Sequence, residues 1–180
     1  VLEDGCDPLR VTFRCRAAAG LERLAGARFL DIGMDDVAAA EPMPAADLAA
    51  YAKAGRAWVA VDGADEAVGY VVVDAVDGCA HVEQISVVPA HSGKGIVRAL
   101  LDEVERWAVS CQLAAVTLTT FDGVAWNRLL YEHLGFATLG DGELSAGLRA
   151  RREAETAHGL DPTTRVYMRR ALRRAGRDAG

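Results

Sequence analysis

Between residues 9 and 16, Leu9, Val11, Phe13 and Cys15 alternate with arginines and Thr12, the period of a half-buried strand. The period then lengthens. Leu21, Leu24, Ala25, Arg28, Phe29 and Ile32 recur at helical spacing, Pro42 and Pro44 break the chain, and residues 47–54 predict a second short helix. Two helices straight after a first strand commonly wall a substrate site in α/β enzymes, an arrangement this pattern permits without requiring. Three apolar runs follow over residues 57–62, 67–76 and 79–88, closed by Asp62-Gly63, Asp77-Gly78 and Pro89. Asp-Gly between apolar runs signals a hairpin, so the three predict an antiparallel meander. Ile96, Leu100, Leu101, Val104, Trp107 and Ala108 line one face of a helix. A fifth strand over residues 114–120 then has to run parallel to the fourth, because a helix joins them. Residues 124–134 predict a helix stopped by Gly135, and residues 136–139 another strand. Residues 143–158 predict an inserted helix rich in Ala, Arg and Glu, and residues 165–172 the last strand. Residues 1–8 read as a lead-in and 173–180 as a basic tail. The expectation is one α/β domain over residues 1–180, with a mixed, mostly antiparallel sheet between helices.

Composition narrows the function classes. A chain of 180 residues builds a core without disulfide or metal staples, and 51% hydrophobic with 26% charged residues is ordinary for a folded soluble domain. No apolar run reaches the length of a membrane span, and the first thirty residues lack the layout of a signal peptide. The start at Val1 rather than Met points to a trimmed N-terminus. Cys6, Cys15, Cys79 and Cys111 are scattered, which argues against zinc and a disulfide framework and for a reducing cytoplasm. No metal site is expected: His133 and His158 stand alone. Trp58, Trp107 and Trp126 read as core.

The charge is unevenly laid out. Residues 1–148 hold 22 acids against 11 bases, and residues 149–180 hold 4 acids against 9 arginines, giving −6 in all. An acidic body is a poor nucleic-acid surface and suits a cationic small molecule better than an anionic one; solubility alone is the plainer reading. The run through Arg169-Arg170 and Arg173-Arg174 reads as a solvated end.

The candidate chemistry starts where the fourth strand ends. After Val87, Val88 and Pro89 comes Ser92-Gly93-Lys94-Gly95, and then the helix from Ile96. A glycine turn opening a helix presents free N–H groups and the positive end of the helix dipole, which together hold phosphate. A nucleotide P-loop needs glycine five residues before the glycine of its Gly-Lys pair, where Val88 stands, and the dinucleotide fingerprint needs a third glycine where Arg98 stands. Neither is present, so what remains is a diphosphate cradle in the middle of the chain.

Ser92-Gly93-Lys94-Gly95-Ile96-Val97 resembles the pyrophosphate signature [Gln/Arg]-x-x-Gly-x-[Gly/Ala] of the GNAT superfamily of acetyl-CoA-dependent N-acetyltransferases. Asn127-x-x-x-Tyr131-x-x-x-Gly135-Phe136 resembles the second half-motif of that superfamily. With element order included, the resemblance covers residues 9–172. It implies a GNAT-like fold whose fourth and fifth strands splay apart, with acetyl-CoA as cosubstrate. The diphosphate would lie on Ser92, Gly93, Lys94, Gly95, Ile96, Val97 and Arg98. The pantetheine arm would bond the main chain of Ile85 and Val87, whose side chains read as core, and the Asn127 side chain. Tyr131 would protonate the departing thiolate; the plainer reading is a half-buried core tyrosine. Two positions depart from the signature. Ser92 replaces Gln or Arg, a loss that main-chain N–H groups tolerate, and Val97 puts two methyls where the superfamily keeps space.

Side chains alternate along a strand, so His81, Glu83, Ile85 and Val87 share one face. The resemblance implies a base at the positions of His81 and Glu83, since an amine arrives as ammonium and must lose a proton before attacking a thioester. Glu83 is the first choice, because an acid inside a Val/Ile strand is costly to bury; His81 is the second. The alternative is that Glu83 pairs with an arginine and His81 caps the sheet edge. The fifth strand offers only Thr117, Thr119 and Thr120. The expected activity is acetyl transfer to a primary amine of a small cationic molecule: a polyamine, amino sugar or basic peptide antibiotic. Protein or peptide acetylation is the second reading, and a non-catalytic acyl-CoA sensor the third. The inserted helix is open to two roles, a substrate lid or a homodimer contact.

Overall fold

The computed structural model describes residues 10–12, 21, 24–26, 41–122, 124–157 and 161–172. The strands are β1 (Arg10–Thr12), β2 (Ala57–Val61), β3 (Ala67–Val76), β4 (Cys79–Val87), β5 (Ala115–Phe121), β6 (Ala137–Thr138) and β7 (Arg165–Ala171). The helices are α1 (Ala45–Lys53), α2 (Ile96–Ser110), α3 (Ala125–His133) and α4 (Ala146–Ala157). Strand order is β1-β2-β3-β4-β5-β7-β6. Residues 21 and 24–26 are helical, as their spacing predicts. The rest of that predicted helix, residues 13–16 of the first strand, His158 and the basic tail from residue 173 lie outside the described residues.

The chain packs as two compact units, Val1–Val73 with Gln84–Glu103, and Asp74–Glu83 with Val104–Gly180. In the first, β1 pairs β2 and β2 pairs β3, both antiparallel. β2 is buried along its whole length and β3 from Val68 to Val73, the pattern of strands covered on both faces. Leu48 of α1 closes one side against Ala57, Val59, Val61, Tyr70 and Val72. The β2–β3 turn departs from the sequence expectation. Asp65, not Gly63, takes the left-handed conformation at φ +64°, and the Asp62 carboxylate accepts from the N–H groups of Ala64 and Glu66 at 3.0 Å each. An aspartate that bonds its own turn makes the glycine's freedom unnecessary. Gly69 matters for close approach instead, since a Cβ there would lie 2.9 Å from the Ser86 carbonyl and 3.2 Å from Ile96 Cγ2. Its bare backbone lets the first residue of α2 sit against the sheet.

In the second unit, β4 pairs β5 in parallel through Ala80↔Val116, His81↔Thr117 and Val82↔Leu118. Those pairs stop at Val82 and Leu118, while β5 continues to Phe121 along β7. This is the splay the resemblance implies. Asp77 (φ +47°) and Gly78 (φ +73°) form the tight β3–β4 turn, both in the positive region that a two-residue hairpin requires. Leu144, Leu148 and Tyr167 form a small core with Val76 and Leu139 packed against it, which fixes α4 against the end of β3 and against β7.

Candidate active site

At the glycine turn, a one-turn 3-10 helix over Pro89–His91 separates β4 from the loop. Gly93 (φ +76°) and Gly95 (φ +77°) take the left-handed conformation, and a Cβ added at either would meet nothing within 4 Å. The N–H groups of Gly93 to Arg98 make no hydrogen bond among the described residues; the first to donate is Ala99, to the Gly95 carbonyl at 3.0 Å. Open space beside unused donors at a helix start is what a diphosphate fits. Lys94 and Arg98 stand exposed, while the Ile96 side chain is buried, which leaves only its N–H to face a ligand. Ile85 and Val87, expected in the core, are half-buried; Ala80, His81, Val82 and Ser86 are the buried residues of that strand.

A cleft of about 310 Å³ lies over the first half of β4, lined by His81, Glu83, Thr119, Arg151, Glu155 and Arg165 among others. His81 is 3% exposed, and its Nδ1 shares a 2.9 Å hydrogen bond with Thr117 Oγ1, its register partner on β5. Burial, reinforced by the Arg151 charge, drives its imidazole down to about 4, so the ring is neutral. Glu83 goes the other way. Burial raises its carboxyl to about 7 although Arg151 pulls it down, and Asp74 adds to the rise. Glu83 Oε1 forms an ion pair with Arg151 Nη1 without an aligned hydrogen bond, and Arg151 Nη2 bonds Asp74 Oδ2 at 3.2 Å. Across the cleft, Arg165 pairs Glu155 at 3.0 Å, and the Tyr167 hydroxyl donates to Glu155 at 3.2 Å.

Asn127 and Tyr131 lie one turn apart on α3. The Asn127 amide is half-buried and has no side-chain partner among the described residues. Tyr131 sits at the helix end, where the sequence that follows builds its cap. Gly135 (φ +85°) turns the chain left-handed, Phe136 N–H donates to the Tyr131 carbonyl at 2.9 Å, and Gly135 N–H donates to Glu132 at 2.9 Å. These are the two bonds of a Schellman motif, completed by edge-to-face packing of Tyr131 on Phe136 at 5.9 Å. Arg170 secures it by donating to the Leu134 carbonyl at 3.0 Å and stacking over Phe136. Tyr131 is 8% exposed, and burial pushes its phenol up to about 12.

The structure thus gathers His81 and Glu83 in one cleft, places Asn127 and Tyr131 on one helix, and leaves the donors from Gly93 to Arg98 unused. Sequence reasoning did not find Asp74, Arg151, Glu155 and Arg165. The usable signal was the i, i+3, i+7 spacing of Leu148, Arg151 and Glu155, which puts an arginine and a glutamate on the face that buries a leucine. Among the described residues no cluster of His, Cys, Asp or Glu could hold a metal ion. Nor is any of their helices long and apolar enough to cross a membrane.

Residues 27–136 match the acetyltransferase (GNAT) family. The fold is similar to that of the ribosomal-protein-S18-alanine N-acetyltransferase of Escherichia coli, at 17% identity over 96% of this chain and 99% of that one, TM-score 0.62. A GNAT acetyltransferase of Staphylococcus aureus Mu50 aligns at 18% identity over 92% of this chain and 100% of that one, TM-score 0.65. A Bacillus anthracis protein assigned as a streptothricin acetyltransferase, solved with acetyl coenzyme A, aligns at 16% identity over 65% of this chain and 62% of that one, TM-score 0.52. With more than half of its length matched to one family and a shared fold behind the match, the chain belongs to the acetyltransferase (GNAT) family and is an N-acetyltransferase with acetyl coenzyme A as its cosubstrate.

Proposed function

We propose that the protein moves the acetyl group of acetyl-CoA directly onto a primary amine of a small cationic molecule, with Glu83 as the general base. The observation that carries this is the Glu83 carboxyl itself: on a cleft wall, held near 7 by burial, it is half ionised where a base working at neutral pH should be. His81, at about 4, is the weaker candidate; a neutral imidazole of so low a pKa has little drive to take a proton.

As the amine nitrogen bonds the thioester carbon, its proton passes to Glu83, and the carbon–sulfur bond then breaks to release the thiolate of coenzyme A. A phenol at about 12 is a weaker acid than a thiol near 8.5, so Tyr131 steadies that thiolate by donating a hydrogen bond. The N–H groups from Gly93 to Arg98 hold the diphosphate with Lys94 and Arg98 adding charge. Ser92 contributes at the start of the turn, Ile85 and Val87 offer main-chain bonds to the pantetheine, and Asn127 its amide. A reducing cytoplasm belongs to the same reading, on the free thiols of Cys79 and Cys111.

The test is thiol release from acetyl-CoA against a panel of polyamines, aminoglycosides and short peptides. Release with the free amines supports the proposal, release with peptides alone replaces it with peptide acetylation, and binding without release points to a sensor. Glu83→Gln is expected to cut turnover at least tenfold while leaving acetyl-CoA affinity unchanged; full activity in that variant removes Glu83 as the base.

A further inference from the structure

One side chain beyond those the family resemblance implies reaches the proposed base. Arg151 projects from the middle of α4, and its guanidinium bridges two carboxylates from neighbouring strands, Asp74 of β3 at 3.2 Å and Glu83 of β4 in direct ion-pair contact. The helix that carries it is tied to the turn joining those strands. Asp77 Oδ2 accepts from the Gly147 N–H at 2.6 Å, and a Cβ on Gly147 would come within 2.6 Å of Val76 Cγ1. The turn that sets the position of Glu83 therefore also sets the position of Arg151.

We propose that Arg151 is a positioning residue for acetyl transfer: anchored by Asp74, it holds the Glu83 carboxylate extended into the cleft, ionised and aimed at the acceptor nitrogen. The inference rests on Glu83 being the base. A glutamate with three free torsions and no partner, buried as Glu83 is, would rotate away or stay protonated. A planar guanidinium pinned at one end removes both options, which a mobile ammonium would do less well. The Arg151 guanidinium is also occupied within the chain, since both contacts are intramolecular and both go to carboxylates. It is therefore not the cation that would receive a substrate's acid group.

The charged and titratable groups facing Glu83 are Asp74 from β3, Arg151 and Glu155 from α4, His81 from its own strand, and Arg165 with Tyr167 behind Glu155 from β7. Arg151 favours the ionised carboxylate and Asp74 opposes it. Removing the one or the other must then shift Glu83 in opposite directions, whereas a merely structural role for α4 would weaken both variants alike.

The experiment is a carbon-13 carboxyl titration of glutamate-labelled whole protein, with the Glu83 signal assigned by its loss in Glu83→Gln; it needs no acceptor. Arg151→Gln should raise the Glu83 midpoint by about one pH unit, Asp74→Asn should lower it, and Arg151→Lys should return it partway. In thiol release with the fastest amine of the panel, the acid limb of kcat/KM should move the same way in each variant. Shifts of one sign in both variants, or no shift in chains that keep wild-type circular dichroism, overturn the inference. Full turnover in Glu83→Gln would instead sink the base on which it rests, so the two failures are distinguishable.

Discussion

Gly93 and Gly95 keep the space around them empty, so a phosphate reaching the turn meets N–H groups rather than methyls. Val97, the second residue of α2, is half-buried, and in the proposed cradle its two methyls would crowd the diphosphate. Val97→Gly should therefore lower the Kd for acetyl-CoA several-fold by calorimetry, even though glycine inside a helix costs about 1 kcal/mol of stability. The two effects separate in measurement, because the cost appears in Tm and the gain in affinity. Equal or weaker binding would show that the methyls do not crowd the diphosphate. Glu83 shows what was legible at this scale. An acid in a Val/Ile strand admitted two readings, a base or one half of an ion pair, and the ion pair is present. It does not displace the base reading, because burial outweighs the arginine and leaves the carboxyl near 7. The partner itself was not legible. Arg151 and Asp74 are 77 residues apart, and an arginine in an Ala/Arg/Glu-rich helix reads as solvated surface until packing chooses its face.

Elements whose limits are set by their own residues were readable to within a residue or two. α3 ends where Gly135 turns left-handed, β3 and β4 meet at Asp77-Gly78, and β4 stops short of Pro89. α2 runs to Ser110, past the predicted end at Ala108, because Gln112 at φ +57° closes it in a conformation usually left to glycine. α4 was legible as a helix but not as a wall of the cleft, since its docking joins a small apolar cluster around Leu148 to the close approach of one small residue. Gly147 lies so close to the β3–β4 turn that a methyl would sit 2.6 Å from Val76 Cγ1 and 2.8 Å from Asp77 Oδ2. Gly147→Ala must push the helix off the turn or distort Asp77, at a cost of about 1–3 kcal/mol. The expected result is a fall in Tm together with loss of the Glu83–Arg151 contact, visible as an upward move of the acid limb of kcat/KM. Wild-type Tm in this variant would mean that the helix is not clamped there.

For the molecule as a whole, periodicity and two local motifs were enough to identify the family, because the glycine turn and the α3 cap are each built from contiguous residues. The cleft is built differently, from side chains that converge from β4, β5, β7 and α4 and that no contiguous motif announces. Within the cleft lining Glu83 and Glu155 are matched by Arg151 and Arg165, so in the proposed function a preference for cationic acceptors would come from the net −6 of the chain. Under the proposed reading that field would draw in cations and oppose the approach of acetyl-CoA, an anion that the N–H groups from Gly93 to Arg98 and Lys94 would receive locally. The two substrates should then respond to salt with opposite signs. Raising ionic strength from about 0.01 to about 0.15 M shortens the screening length from roughly 30 to roughly 8 Å. With acetyl-CoA saturating, kcat/KM for a dicationic or tricationic amine should fall several-fold over that range. With the amine saturating, the KM for acetyl-CoA should fall instead. An uncharged acceptor analogue should show no loss under the first condition. If the polycation gains or holds its kcat/KM as salt rises, long-range attraction plays no part in acceptor choice, and the acidic surface serves solubility alone.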